Sequence, residues 1–141
     1  MRAIRLLAIC GVLLAGCARR PDADAIREVI TAMAGAEKTP TPRDVLAHVS
    51  DDFIGNAGEL DRRQLAGLLR ARLPAGGIRV RLGAIGVELS GDRAIAHFDA
   101  ALTDSSGRWI AEHRADLHFV TGWRRERGGW LCYNAGWTGP D

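Results

Sequence analysis

The stretch Ile78-Arg79-Val80-Arg81-Leu82-Gly83-Ala84-Ile85-Gly86-Val87-Glu88-Leu89 divides the chain into a helical half and a sheet half. Ile78, Val80 and Leu82 alternate with Arg79 and Arg81, which is the period of a half-buried strand; the apolar set then moves to Ile85, Val87 and Leu89. A one-residue change of parity beside Gly83 and Gly86 predicts a β-bulge, and a bulge bends its strand. Downstream, Ser90-Gly91-Asp92 reads as a tight hairpin turn into a strand from about residue 93 to 102, and Asp104-Ser105-Ser106-Gly107 makes the next turn. Strands over about 109–124 and 130–137 follow, parted by the polar, Gly-rich segment 125–129. Seven of the eight aromatic residues lie in this half, which places most of the core on a bent, four-stranded antiparallel sheet.

Upstream the period is helical. Ile26, Val29, Ile30 and Met33 follow the i, i+3, i+4, i+7 rule and predict a helix over about 23–36, which Thr39-Pro40-Thr41-Pro42 breaks. Thr41 caps the next helix, with Pro42 at its first position and Asp44 at its third, and Val45, Leu46 and Val49 supply the buried side until about Ser50. Asp61 with Gln64 three residues on is a capping box, flanked by Leu60 and Leu65 at the hydrophobic-staple positions. Leu65, Leu68, Leu69 and Leu73 form one face of this third helix until Pro74-Ala75-Gly76-Gly77 stops it.

The N-terminal end carries an address. Basic Arg2 and Arg5 precede an apolar run from Leu6 to Leu14, far short of the ~20 residues a spanning helix needs. Leu14-Ala15-Gly16-Cys17 then resembles a bacterial lipoprotein lipobox. The resemblance implies a signal peptide over 1–16, Cys17 as the lipidated first residue of the mature chain, and a short tether over 17–22. Acyl chains on Cys17 would make the membrane a partner, and Ala18 behind the cysteine implies the periplasmic face of the outer membrane.

Loss of Arg2 and Arg5 with the signal lowers the formal charge from +2 to zero, with 17 basic and 17 acidic side chains remaining. The arginines are scattered among acids with no basic stripe, which argues against a nucleic-acid partner. Of three cysteines, Cys10 leaves with the signal and Cys17 is committed to lipid, so Cys132 stands alone and no internal disulfide forms. Cys132 lies in an apolar strand and reads as a small buried hydrophobe. Neither metal-ligand spacing nor a nucleophile motif is present, and no metal or cofactor is expected.

Helices followed by a curved antiparallel sheet ending in a Trp-rich strand resemble the α+β cone of the nuclear transport factor 2-like (NTF2-like, cystatin-like) superfamily, over about residues 23–137. Asp51-Asp52-Phe53-Ile54-Gly55, Leu60-Asp61-Arg62, Gly91-Asp92-Arg93-Ala94, and Gly122-Trp123-Arg124-Arg125-Glu126 leading to Gly129-Trp130-Leu131 are similar to a group of uncharacterised bacterial lipoproteins of that superfamily. The superfamily holds isomerases, dehydratases and cyclases as well as noncatalytic binding and assembly modules, so the fold does not assign a function.

The resemblance implies a pocket on the concave side of the sheet. His113, Tyr133, Trp123 and Phe119 are its candidate lining residues. His113 alternates with Ala111, Ala115, Leu117 and Phe119 and reads as a hydrogen-bonded structural histidine, while being the best single candidate for a general base. Tyr133 is the one tyrosine, and no carboxylate motif stands around it of the kind ketosteroid-isomerase-like chemistry needs. His97 and Asp99 alternate with Ala96, Phe98 and Ala100 and read as the outer face; Arg114, Asp116 and His118 read as a solvated row with cross-strand pairs. Asp51 and Asp52 read as a helix-terminating acidic loop ahead of Phe53 as a core plug. The row Trp109, Trp123, Trp130 and Trp137 is a candidate pocket wall, but tryptophan at strand spacing reads as core. The expectation is a lipid-anchored envelope protein that binds a small apolar ligand or a protein partner without catalysis. The alternative is a small cofactor-free enzyme, of isomerase or dehydratase type, acting on a hydrophobic substrate.

Overall fold

Ile26 and Ile30, one helical turn apart, are buried on the inner side of α1 (Asp22–Met33), with Val29 and Met33 packed beside them. This is the expected face. The computed structural model describes residues 21–35, 39–72, 78–104 and 116–139. The signal segment with Cys17, the Pro74–Gly77 stop, the Asp104–Gly107 turn beyond its first residue, and Trp109, His113 and Arg114 therefore lie outside the described residues.

The capping box of α2 (Pro42–Leu46) is formed: the Asp44 amide donates to Thr41 Oγ1 at 3.2 Å and the Thr41 amide to Asp44 Oδ2 at 2.8 Å. The helix ends earlier than the sequence predicts, because Val49 and Ser50 belong to a strand, β1 (Val49–Gly55). Asp51, Asp52 and Phe53 are thus strand residues and not a loop. Arg62 donates to the carbonyls of Leu46 (3.2 Å) and Val49 (3.5 Å), which occupies acceptors freed where helix gives way to strand. A 3-10 turn (Asn56–Gly58) leads into the two-residue β2 (Leu60–Asp61), which pairs with β1.

At the start of α3 (Arg62–Arg72) the second capping box is present, with Gln64 N to Asp61 Oδ1 at 2.7 Å and Asp61 N to Gln64 Oε1 at 2.8 Å. Its inner face is Leu65, Ala66 and Leu69; Leu68 faces out, 49% exposed, against the sequence expectation.

The parity change at Gly83 is real, and it breaks the strand. β3 (Ile78–Leu82) and β4 (Gly86–Ser90) both pair antiparallel with the long β5 (Arg93–Asp104), Leu82 opposite Ala100 and Gly86 opposite His97. Three residues, 83–85, thus face two, Phe98 and Asp99. Arg27 of α1 donates to the Ile85 carbonyl in the interruption at 3.1 Å, and the Gly83 amide reaches the Asp99 carbonyl at 2.8 Å. β6 (Asp116–Glu126) and β7 (Gly129–Thr138) are joined by Arg127-Gly128, both at positive φ (50° and 79°), the geometry of a tight two-residue hairpin.

The sheet order is β2-β1-β7-β6-β5-β3, with β4 also on β5. β1 runs parallel to β7, and the other pairs are antiparallel. The described sheet is therefore mixed and seven-stranded, not the four-stranded antiparallel meander expected. The additional strands come from the Gly83 break and from β1 and β2, whose short, charge-interrupted sequences conceal them. The core lies between α1 and the inner face of the sheet, around Ile26, Ile30, Phe53, Ala96, Trp123, Trp130 and Cys132. Among the described residues no helix is long and apolar enough to cross a membrane.

Candidate functional site

Inner-facing positions of β5, β6 and β7 fall in register. Phe98, Phe119 and Trp137 stand opposite one another in one row across the three strands; Ala96, Thr121 and Ala135 form the next, and Ala94, Trp123 and Cys132 the one after. The first row is bulky and the second is small. The deficit of volume over Thr121 and Ala135 opens a cavity of about 320 Å³ between the sheet and the helices. Ile30, Met33 and Ala34 close it from α1, Val45 from α2, and Leu65 and Leu69 from α3, while Val49, Phe53, Val80, Leu82, Ala100 and Leu102 complete the wall.

Carbon dominates this lining. The Thr121 hydroxyl donates to the Ala96 carbonyl at 3.1 Å and accepts from Trp123 Nε1 at 2.8 Å, so these two side chains are bonded to each other and to the backbone. Cys132 is buried, and its Sγ donates to the Asn134 carbonyl at 3.2 Å. Burial pushes its thiol up to about 12, which keeps it protonated and unreactive at neutral pH. No carboxylate, imidazole or amine is among the described lining residues.

Phe119 and Trp123 line the cavity, Trp123 with 1% of its surface exposed. Tyr133 does not. It lines a shallow outer depression with Asp52, Ile54 and Asn134, and its ring lies under the guanidinium groups of Arg93 (5.1 Å) and Arg124 (5.4 Å). A register shift between Gly122 and Trp123 in the β6–β7 pairing moves Tyr133 out of the alternation the sequence implies, putting Cys132 and Ala135 on the inner side. His113 lies outside the described residues.

Polar side chains pair across the outer face. Arg124 makes two bonds to Asp52, Nη2 to Oδ1 at 2.6 Å and Nη1 to Oδ2 at 3.0 Å, and a third contact to Glu126 at 3.1 Å. Arg124, bonded to Asp52, holds that carboxyl down to about 2, and Asp52 in turn raises the Arg124 guanidinium. Asp99 and His118, directly opposite in register, meet at 2.8 Å on an exposed patch, the cross-strand pair expected of a solvated row. His97 lies across Gly86, where a Cβ would collide with its ring. At the end of the sheet where α1 begins, Asp22 accepts from Arg125 (2.6 Å) and Trp130 Nε1 (3.3 Å), with Arg125 stacked over the buried Trp130 ring at 4.7 Å. Among the described residues no group of His, Cys, Asp or Glu is arranged to hold a metal ion.

Thr121 and Ala135 are pocket residues that the sequence reading left unassigned to a site, and Trp137 is one that it weighed for a pocket and read as core. Thr121 could have been placed by parity with Phe119 and Trp123, and Ala135 by parity with Trp137; what the sequence conceals is the register shift that lets Cys132 and Ala135, of opposite parity, both face inward.

No family model matches the chain, and no curated protein matches its sequence. Solved structures do match its fold. An NTF2-like protein of unknown function from Pseudomonas putida KT2440 is 18% identical, with a TM-score of 0.68 over 84% of this chain and 86% of that one. An NTF2-like protein with a cystatin-like fold from Novosphingobium aromaticivorans is 24% identical, with a TM-score of 0.64 over 85% and 82%. A protein from the NTF2-like family in Streptomyces avermitilis, provisionally named a dehydratase, is 12% identical, with a TM-score of 0.67 over 85% and 96%. The fold is NTF2-like, the α+β class expected from the sequence.

Proposed function

We infer that this is a lipid-anchored envelope protein whose NTF2-like domain holds a small apolar ligand without catalysing a reaction. The observation that carries the reading is the cavity of about 320 Å³, apolar on nearly every side. A pocket lined mostly by carbon gains affinity by removing that surface from water, at roughly 25 cal/mol per Å² before the costs of association. Acid-base chemistry needs a titratable group beside the substrate. The described lining offers only a thiol held at about 12, which supports binding over turnover. An isomerase or dehydratase would draw its base from elsewhere, His113 being the sequence's candidate, and the provisional name of the Streptomyces avermitilis protein keeps that alternative in view.

Two measurements test the two halves. Organic extraction of protein purified from its own envelope, followed by mass spectrometry, should release a stoichiometric apolar compound, and a hydrophobic fluorescent probe such as N-phenyl-1-naphthylamine should bind and be displaced by it. Neither a released compound nor saturable probe binding would overturn the ligand reading. Mass spectrometry of the N-terminal peptide should find Cys17 acylated; an unmodified mature chain starting elsewhere would end the anchoring proposal. Fractionation should then find the protein with the outer membrane.

A protein partner docked on the outer face is the second reading. It rests on Ile54, Ile95 and Val120, each 45–47% exposed there.

A further inference from the structure

We propose that the cavity takes a flat, uncharged two-ring ligand carrying one hydrogen-bond donor, and that Thr121 is the residue that selects it; this rests on the apolar-ligand reading above. Shape comes first. The Phe98 and Phe119 rings lie nearly parallel, 11° apart with centroids at 5.3 Å, and Trp137 continues the row at 6.0 Å and 40°. Trp123 stands on the far side of the small row, so Thr121 and Ala135 form the floor of a trough between aromatic walls. Planar π-systems meet such walls in offset or edge-to-face contact, which a linear chain cannot do. The volume of about 320 Å³ is roughly twice the ~150 Å³ apolar cavity that takes one benzene, which sets the size at two rings.

Polarity follows from the hydroxyl's inventory. A threonine hydroxyl has one proton and two lone pairs. At Thr121 the proton is given to the Ala96 carbonyl and one lone pair is taken by Trp123 Nε1, leaving one lone pair and no proton. A phenolic O–H or an indole N–H set against Thr121 is satisfied there. An ether or ketone oxygen at the same place meets only a lone pair. A carboxylate brings a charge into the apolar cavity and is rejected more strongly.

The test is calorimetric titration of the full chain in one detergent with four probes: 2-naphthol, 2-methoxynaphthalene, 2-naphthoate and 1-decanol. Ala135→Leu, which fills the trough floor, serves as the blank for partition into micelles. Expected are binding of 2-naphthol about fivefold tighter than 2-methoxynaphthalene, the worth of one neutral hydrogen bond, and binding of 2-naphthoate weaker than either. Thr121→Val should erase the naphthol preference and Thr121→Ser should keep it. If the valine variant fails to fold, the order of affinities in the parent and the serine variant still decides. Equal affinity for the two naphthalenes, or 1-decanol binding as tightly as 2-naphthol, would overturn the proposal while leaving an apolar-ligand pocket in place. Binding of none of the four above the blank would overturn both.

Discussion

Asp52 and Arg124 meet through two parallel N–H···O bonds, the geometry in which a guanidinium holds a carboxylate best. Both side chains come from strands far apart in sequence, so the pair ties β1 to β6 across the outer face. The Asp52 carboxyl is held at about 2, below its ordinary value of 3.8, chiefly by the hydrogen bond from Arg124. A carboxyl with a depressed folded-state value contributes stability that is present above its unfolded value and lost as pH falls through the folded one. The contribution of this pair should therefore decline between about pH 4 and pH 2. Asp52 is 65% exposed, so the effect is modest. Melting temperatures followed from pH 6 to pH 2 should show a shallower acid limb for Asp52→Asn than for the parent; equal slopes would mean that the pair adds nothing in solution.

The elements differ in how they are held. α3 is defined by its own cap and leucines, and α2 by a complete capping box over only five residues. α1 depends on tertiary contacts: Pro21 at its start provides no side-chain cap, and its first turn is fixed by Asp22 reaching Arg125 and Trp130 on the β6–β7 hairpin. Trp130 thus serves the core and the helix start together. Trp130→Ala should cost about 3–5 kcal/mol, typical of deleting a buried aromatic side chain, and should lower the denaturation midpoint without moving the cavity. A variant that unfolds like the parent would contradict this arrangement. β1 is the element with least support of its own: two acids interrupt its apolar pattern, and its partners are the two-residue β2 and the last strand of the chain.

The molecule as a whole is organised around one inner face of the sheet, part of which α1 covers and part of which is left as the cavity. Cys132 sits where the two parts meet, within the buried core and in the cavity wall. Its thiol is pushed up to about 12 by burial, so alkylation requires the core to open. Iodoacetamide labelling of Cys132 at pH 8, followed by peptide mass, should be negligible in the native protein and should rise with denaturant along the global unfolding curve. Rapid labelling without denaturant would show that the cavity admits the reagent.

What the sequence determined by itself is local. The α1 face of Ile26 and Ile30, both capping boxes, the turn at Gly91, the inward set of Ala96, Phe98, Phe119 and Trp123, and the register slip at Gly83 all follow from spacings within a few residues, where helix and strand periods and cap geometry act. Tertiary structure decided what depends on partners distant in the chain. It made a strand of the segment that holds Asp51-Asp52-Phe53, because β7 pairs with β1 on either side of these residues, at Val49 and at Ile54–Gly55. It turned Tyr133 outward while Cys132 and Ala135, three residues apart, both face inward, because an irregularity in strand pairing breaks the alternation between them. It also created the cavity, since a row of small residues becomes an empty space only when helices bridge over it and pack elsewhere.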